Sequence, residues 1–60
     1  MQVVPKRGEW YTIQWKGESG SFRGSFHCMD RGFYIFYNGS EKIVCFPESV
    51  VLTQIEGQND

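Results

Sequence analysis

The sequence predicts a small all-β domain: a five-stranded, strongly bent antiparallel barrel with one short helical turn before the last strand. The chain of 60 residues has no alanine and a single leucine, Leu52, although these two residues lead the scale of helix propensity. Ten residues are aromatic and seven are glycine, which is typical of short strands joined by tight turns. Apolar and polar residues also alternate with the two-residue period of half-buried strands.

The N-terminal half is predicted to hold an arm and two strands. Residues 1–8 contain Pro5 and Gly8 and are interpreted as an arm that enters the first strand. The first strand covers residues 9–16, and a turn over residues 17–20 leads to the second strand, residues 21–29. Gly24, in the middle of the second strand, predicts a sharp bend or a bulge. The side chains expected to alternate on one face of each of these two strands are Tyr11, Ile13 and Trp15, and Phe22, Gly24, Phe26 and Cys28.

The C-terminal half is predicted to hold three more strands. Residues 33–37 are apolar without a break, so both faces of the third strand are expected to be covered. Asn38 and Gly39 predict a type I′ hairpin into the fourth strand, residues 42–46. Pro47–Ser49 fit one helical turn, with proline at the first position, where its missing N–H is tolerated. The last strand covers residues 50–55, and a polar tail follows over residues 56–60.

A single domain over residues 1–60 is expected to have one small core. The residues assigned to it are Tyr11, Ile13, Phe22, Phe26, Ile35, Ile43 and Val51. A chain of this length buries only about 60% of the surface that its unfolded form exposes. Its stability is therefore expected to depend on a disulfide, a metal or a partner subunit.

Charge and hydropathy exclude two classes of protein. The net charge is −1, which argues against a strongly basic protein that packages nucleic acid. The chain has no run of 18 apolar residues and no apolar stretch behind a basic N-terminus, so neither a membrane span nor a secretory signal is expected. We expect a soluble cytoplasmic protein. Residues 1–31 carry a charge of +2 and residues 32–60 a charge of −3, an asymmetry that fits either an oriented partner or a solvated face.

Catalytic and metal chemistry are not indicated. His27 is the one histidine, and it precedes Cys28 directly, so strand alternation would point the two side chains to opposite faces. Cys28 and Cys45 lack the spacing of a zinc site. They are interpreted as small buried apolar residues in a reducing compartment, with a disulfide as the open alternative. We therefore expect no catalytic residue, no metal and no cofactor.

The polar faces of the strands carry aromatic and basic residues together. If the assigned core is correct, Trp10, Arg23, His27 and Tyr34 face outward. Exposed rings between cations are typical of surfaces that bind single-stranded nucleic acid, because rings stack on bases while cations contact phosphate. Coverage of the same rings by another subunit or a protein partner is the alternative.

The order of these elements resembles the Sm-like family, including its bacterial host-factor branch, and more broadly the SH3-like small barrels. The resemblance covers roughly residues 11–55. It rests on Gly20 and Gly24 near the start of the second strand, Asp30 in the following turn, the apolar third strand and the closing stretch of residues 42–55. Many SH3-like barrels share this layout.

The Sm-like resemblance implies a nucleotide pocket in the turn after strand two and the turn between strands four and five. Aligned on Asp30, the family's stacking residue falls on Gly32 and its asparagine on Tyr34. The family's Arg-Gly-Asp-Asn-like stretch falls on residues 46–49, where phenylalanine replaces the arginine. A stacking site at this place would therefore be built differently, from Arg31, Tyr34 and Phe46. The resemblance also implies self-association, with the last strand pairing to the fourth strand of a neighbour.

These observations predict a non-enzymatic binding module that takes single-stranded RNA or DNA. The alternative is a small phage-type or regulatory protein that docks on a larger protein and modulates it. The predicted binding residues are Trp10, Arg23, His27, Arg31, Tyr34 and Phe46. A homo-oligomer formed through the fourth and fifth strands is also expected.

Overall fold

The protein folds as one antiparallel sheet of five strands. The structure is a computed structural model, and it describes residues 4–55. The elements are β1 (Trp10–Trp15), β2 (Ser21–Asp30), β3 (Phe33–Asn38), β4 (Glu41–Cys45), a 3-10 helix (Pro47–Ser49) and β5 (Val50–Gln54). The all-β prediction is confirmed, and every predicted strand is present with bounds that differ by at most one residue. The tail at residues 56–60 and the first three residues of the arm lie outside the described residues.

The strands are ordered β4-β3-β2-β1-β5 across the sheet. The strands β1 to β4 form consecutive hairpins, each pairing with the next strand in the sequence. The last strand, β5, pairs with the other side of β1, where Trp15 lies opposite Val50. The Lys16 N–H donates to the Ser49 carbonyl at 2.9 Å, which holds the 3-10 helix against the end of β1. Within residues 4–55, β4 and β5 do not pair with each other. The sheet is therefore open between its two edges, and the barrel of the prediction is not closed by backbone hydrogen bonds.

A bulge in β2 reverses the alternation of side chains near its end. Phe26 pairs with Phe36, but the next pair joins Cys28 to Ile35, so His27 is the extra residue. Cys28 therefore shares the face of Ile35, and its predicted place on the face of Phe26 is wrong. The predicted distortion lies three residues beyond Gly24, the residue that suggested it.

The core lies on one face of the sheet. Its buried members are Tyr11, Ile13, Phe26, Tyr34, Phe36, Cys45, Val50 and Leu52, with Trp15 and Ile43 packed against them. The assignments of Tyr11, Ile13, Phe26 and Ile43 to the core are confirmed, and Ile35 is buried outside this cluster.

Two residues assigned to the core are exposed instead. Phe22 keeps 53% of its surface exposed and Val51 keeps 50%. Phe22 pairs with Ile13 and so faces the core side, but it lies near the start of β2, at the rim. Val51 pairs with Gln14, which is on the polar face of β1. Their contribution to the hydrophobic core is therefore small.

The type I′ geometry predicted for the β3–β4 hairpin occurs in the β2–β3 hairpin instead. Arg31 and Gly32 both have positive φ, 54° and 84°, which is the requirement of a type I′ turn. In the β3–β4 hairpin, Asn38 already pairs with Glu41, so the loop is Gly39 and Ser40. Gly39 alone has positive φ there, at 63°, as a type II′ turn requires. The predicted hairpin is confirmed, but its turn lies one residue later and is not type I′.

The described part of the arm is anchored to the sheet. Pro5 is buried, and the Lys6 N–H donates to the Tyr11 hydroxyl at 2.8 Å. The Gly8 N–H donates to the Phe26 carbonyl at 2.9 Å. The bond from Lys6 satisfies the polar tip of Tyr11, whose ring is otherwise enclosed by the core.

Candidate functional site

The face of the sheet opposite the core carries two aromatic residues on either side of a serine. Trp10 pairs with Ser25, Ser25 with Tyr37, and Tyr37 with Lys42. Directly paired residues share a face, and Ser25 alternates with the buried Phe26, so this row points away from the core. Neighbouring strands lie about 4.8 Å apart, which puts the backbones of Trp10 and Tyr37 roughly 10 Å apart. Ser25 has a small side chain that fills little of the space between these two strands, and we call this part of the outer face a recess.

Basic side chains surround this recess. His27 follows the buried Phe26 and therefore lies on the outer face, where its ring is 5.2 Å from the Tyr37 ring at an interplanar angle of 85°. Arg23 pairs with Thr12, two residues along β2 from Ser25. Neither Arg23 nor Lys42 forms an ion pair with another residue in the range 4–55. We define the outer-face recess as Trp10, Arg23, Ser25, His27, Tyr37 and Lys42.

Three of the six predicted binding residues belong to the outer-face recess: Trp10, Arg23 and His27. Sequence reasoning missed Tyr37 and Lys42. The third strand is apolar throughout, so its pattern does not indicate which ring faces outward. The pairing of β3 with its two neighbours decides this, because β2 places Ser25 beside Tyr37 and β4 places Lys42 beside it.

Tyr34 lies in the core, and the expectation that it faces outward is wrong. Its side chain is 8% exposed, and its ring makes edge-on contacts with Phe26 at 5.7 Å and Phe36 at 6.3 Å. Tyr34 and Phe36 share the inner face of β3, while Ile35 and Tyr37 share the outer face. Of the two tyrosines on β3, it is Tyr37 that lies on the outer face.

Arg31 and Phe46 lie at the opposite end of β3 from the recess. Phe46 is 50% exposed, and its ring lies 4.5 Å from that of Phe33. Phe33 and Tyr37 are four residues apart along the strand, roughly 13 Å. The stacking site expected from Arg31, Tyr34 and Phe46 is not assembled on one surface, because Tyr34 is enclosed.

The thiols and acidic groups do not form a reactive cluster among residues 4–55. Cys28 and Cys45 are both free, so the disulfide alternative is not realised. Burial raises the pKa of the Cys45 thiol to about 11, which keeps it protonated and weakly nucleophilic at neutral pH. No group of three or more His, Cys, Asp or Glu side chains in this range is arranged to hold a metal ion.

Comparison with known proteins adds no family to this description. No family model, curated protein or solved structure matches the chain. Residues 4–55 contain no helix of the length and apolarity that crossing a membrane requires. Any proposal about function therefore depends on the surfaces of the sheet.

Proposed function

We propose that the protein is a non-enzymatic binding module that takes single-stranded nucleic acid in the outer-face recess. The observation that carries the proposal is the row Trp10, Ser25, Tyr37 across three strands. A flat base stacks on an aromatic ring whatever its identity, and two rings separated by a small residue offer two such surfaces.

Charge supports the same ligand. Arg23 and Lys42 lie on the recess without a carboxylate partner in the described residues, so both are free to contact phosphate. Two phosphate contacts on a single strand predict a slope of log affinity against log salt of about −1.4. The slope is small because only two phosphate contacts are involved, and the rings are therefore expected to supply most of the binding energy.

Titration of a fluorescent single-stranded oligonucleotide at low and moderate salt tests this proposal. Tyr37→Ala is expected to weaken binding roughly 5- to 150-fold, the loss of one base-stacking ring. Lys42→Gln is expected to weaken binding and reduce the slope to about −0.7. Lys16→Gln is the matched control. Lys16 is exposed in the β1–β2 turn, so this substitution removes the same charge at a site away from the recess.

Two results would refute nucleic-acid binding in the recess. One is the absence of binding by the wild-type protein even at low salt. The other is an equal loss of affinity in Lys16→Gln and Lys42→Gln, which would indicate attraction to net charge alone.

We also propose that the chain self-associates through β4 and β5. These strands are the two edges of the sheet in residues 4–55, and an open edge is a template for pairing with another chain. Both edges carry half-exposed apolar side chains, Val44 on β4 and Val51 on β5, and the half-exposed Phe46 follows directly after β4. Val44 pairs with Ile35 and Val51 with Gln14, so these two side chains lie on the outer face. Pairing β4 with the β5 of a neighbour would bring the two apolar groups together.

Sedimentation at tens of micromolar tests self-association with two phenylalanines of almost equal exposure. Phe46→Ser, at the end of the β4 edge, is expected to shift the protein toward the 7.0 kDa monomer. Phe22→Ser, on the central strand β2, is expected to leave the oligomer intact. A wild-type protein that sediments as a monomer would contradict the proposal. A nuclease-resistant stoichiometric complex of that monomer with a larger protein would support the alternative, a docking protein that uses the same apolar edge.

A further inference from the structure

A cleft of about 500 Å³ opens beside the β1–β2 turn, and its lining residues are Trp15, Glu18, Gly20 and Phe22. Trp15 and Phe22 belong to the core side of the sheet, since Phe22 pairs with Ile13 and Trp15 alternates with Gln14. The cleft is therefore separate from the outer-face recess and takes no part in the function proposed above.

The two aromatic walls of the cleft meet at a right angle. The ring centroids of Trp15 and Phe22 are 5.5 Å apart, with an interplanar angle of 85°. Trp15 packs partly against the core, whereas Phe22 is 53% exposed. In such a pair one ring presents its edge to the face of the other and keeps its own faces free. Those faces carry the negative part of the ring quadrupole, which attracts a cation within about 6 Å.

The β1–β2 turn places an acidic residue, Glu18, at the cleft. The Glu18 N–H donates to the Trp15 carbonyl at 3.1 Å, and the Gln14 amide donates to the Glu18 carbonyl at 2.8 Å. These bonds hold the backbone of Glu18 at the cleft. Its carboxylate is the one formal charge among the four lining residues, and a Cβ placed on Gly20 would meet no atom within 4 Å. The lining therefore combines negative charge, aromatic surface and open space.

We propose that this cleft binds an alkylated ammonium group, such as a trimethylammonium. A bare ammonium would have to give up water for walls that offer its three N–H donors few acceptors. A quaternary ammonium has no donor to satisfy, its methyl groups pack on the rings, and its charge is balanced by Glu18. The cleft is larger than one trimethylammonium group and leaves room for the chain that carries it. That carrier is either a free small molecule or a methylated lysine side chain.

Titration of Trp15 fluorescence with choline and its neutral isostere 3,3-dimethyl-1-butanol tests the proposal. The Trp10→Phe background leaves Trp15 as the one tryptophan. Choline is expected to bind more tightly than the isostere by roughly 2- to 30-fold, the range of cation–π attraction. Phe22→Leu removes a ring and Glu18→Gln removes the charge, so each is expected to weaken choline binding. Phe46→Leu is the matched control, a half-exposed ring outside the cleft.

The possible outcomes separate the proposal from simple apolar binding. Equal affinity for choline and the isostere would overturn it, as would the absence of a choline response up to tens of millimolar. An equal loss in Phe22→Leu and Phe46→Leu would overturn the location. Circular dichroism of each variant checks that the sheet is intact. Tighter binding of a trimethyl-lysine peptide than of choline would support the proposal and identify the carrier as a side chain, and equal binding would support a free small molecule.

Discussion

Gly24 is expected to be the glycine at which a single added methyl group disrupts the core. It is buried in the middle of β2, where it pairs with Tyr11. A Cβ at this position would lie 2.9 Å from the Cβ of Phe36, and 3.5 Å from both Ile43 Cδ1 and the Tyr37 carbonyl oxygen. Phe36 is fully buried and its Cβ is fixed to the backbone of β3, so it has no flexible end that could move aside. Gly24→Ala therefore requires β2 and β3 to separate locally.

The size of the effect follows from two opposing terms. Overpacking of a well-packed core costs about 1–3 kcal/mol. The reduced entropy of the unfolded chain with alanine returns about 0.4–1 kcal/mol. We expect a net loss of about 1–2 kcal/mol, which lowers the melting temperature of a domain of this size by roughly 5–15 °C. A 60-residue domain has only about 3–9 kcal/mol of stability in total, so the change is large.

Thermal unfolding followed by circular dichroism measures this difference, with Gly20→Ala as the control. Gly20 has no atom within 4 Å of an added Cβ, and its φ lies outside the left-handed region. Its substitution is expected to change the melting temperature by no more than a few degrees. If the melting temperature of Gly24→Ala equals or exceeds that of Gly20→Ala, the close approach of Gly24 to Phe36 does not limit the packing.

Three further predictions concern the buried tyrosine, the two thiols and the type I′ turn. Tyr34→Ala is expected to lower the free energy of unfolding in urea by about 3–5 kcal/mol, as for other core aromatics. Tyr37→Ala should cost clearly less, and equal losses would contradict the placement of the two tyrosines on opposite faces of the sheet. Because burial raises the pKa of Cys45 from 9.0 to about 11, iodoacetamide at pH 8 should modify Cys28 first, as read by mass spectrometry, and equal rates would count against the burial. The pKa of the Cys45 thiol is higher in the folded than in the unfolded protein, so the stability gained from burying the protonated thiol is complete below about pH 9. This stability is lost as the pH rises through 11, and the free energy of unfolding of Cys45→Val should fall less over the same range. Arg31→Asn should raise the free energy of unfolding by up to about 1 kcal/mol, because asparagine tolerates positive φ better than arginine. A lower free energy of unfolding in urea would show that the arginine side chain stabilises the turn.

The sequence by itself determined the class of fold and the position of every strand. The near absence of alanine and leucine disfavoured helices, and strict alternation on β1 separated Tyr11 and Ile13 from their polar neighbours. These signals are local, because propensity and a two-residue period act within one strand. The 3-10 helix at Pro47–Ser49 was equally accessible, since proline at its first position is a local rule.

The tertiary structure alone decided which side chains share a surface. β3 is apolar on both faces, so alternation within it did not separate the buried Tyr34 from the outward Tyr37, and only pairing with β2 and β4 did. The bulge at His27 shifted that register, since one extra residue moves every later side chain to the other face. The outer-face recess combines residues from four strands, and its geometry depends on long-range pairing that no local pattern encodes. The exposure of Phe22 at the rim, where its ring contacts Trp15, was likewise decided by the tertiary structure, because an alternating pattern assigns a face but not how deeply that face is covered.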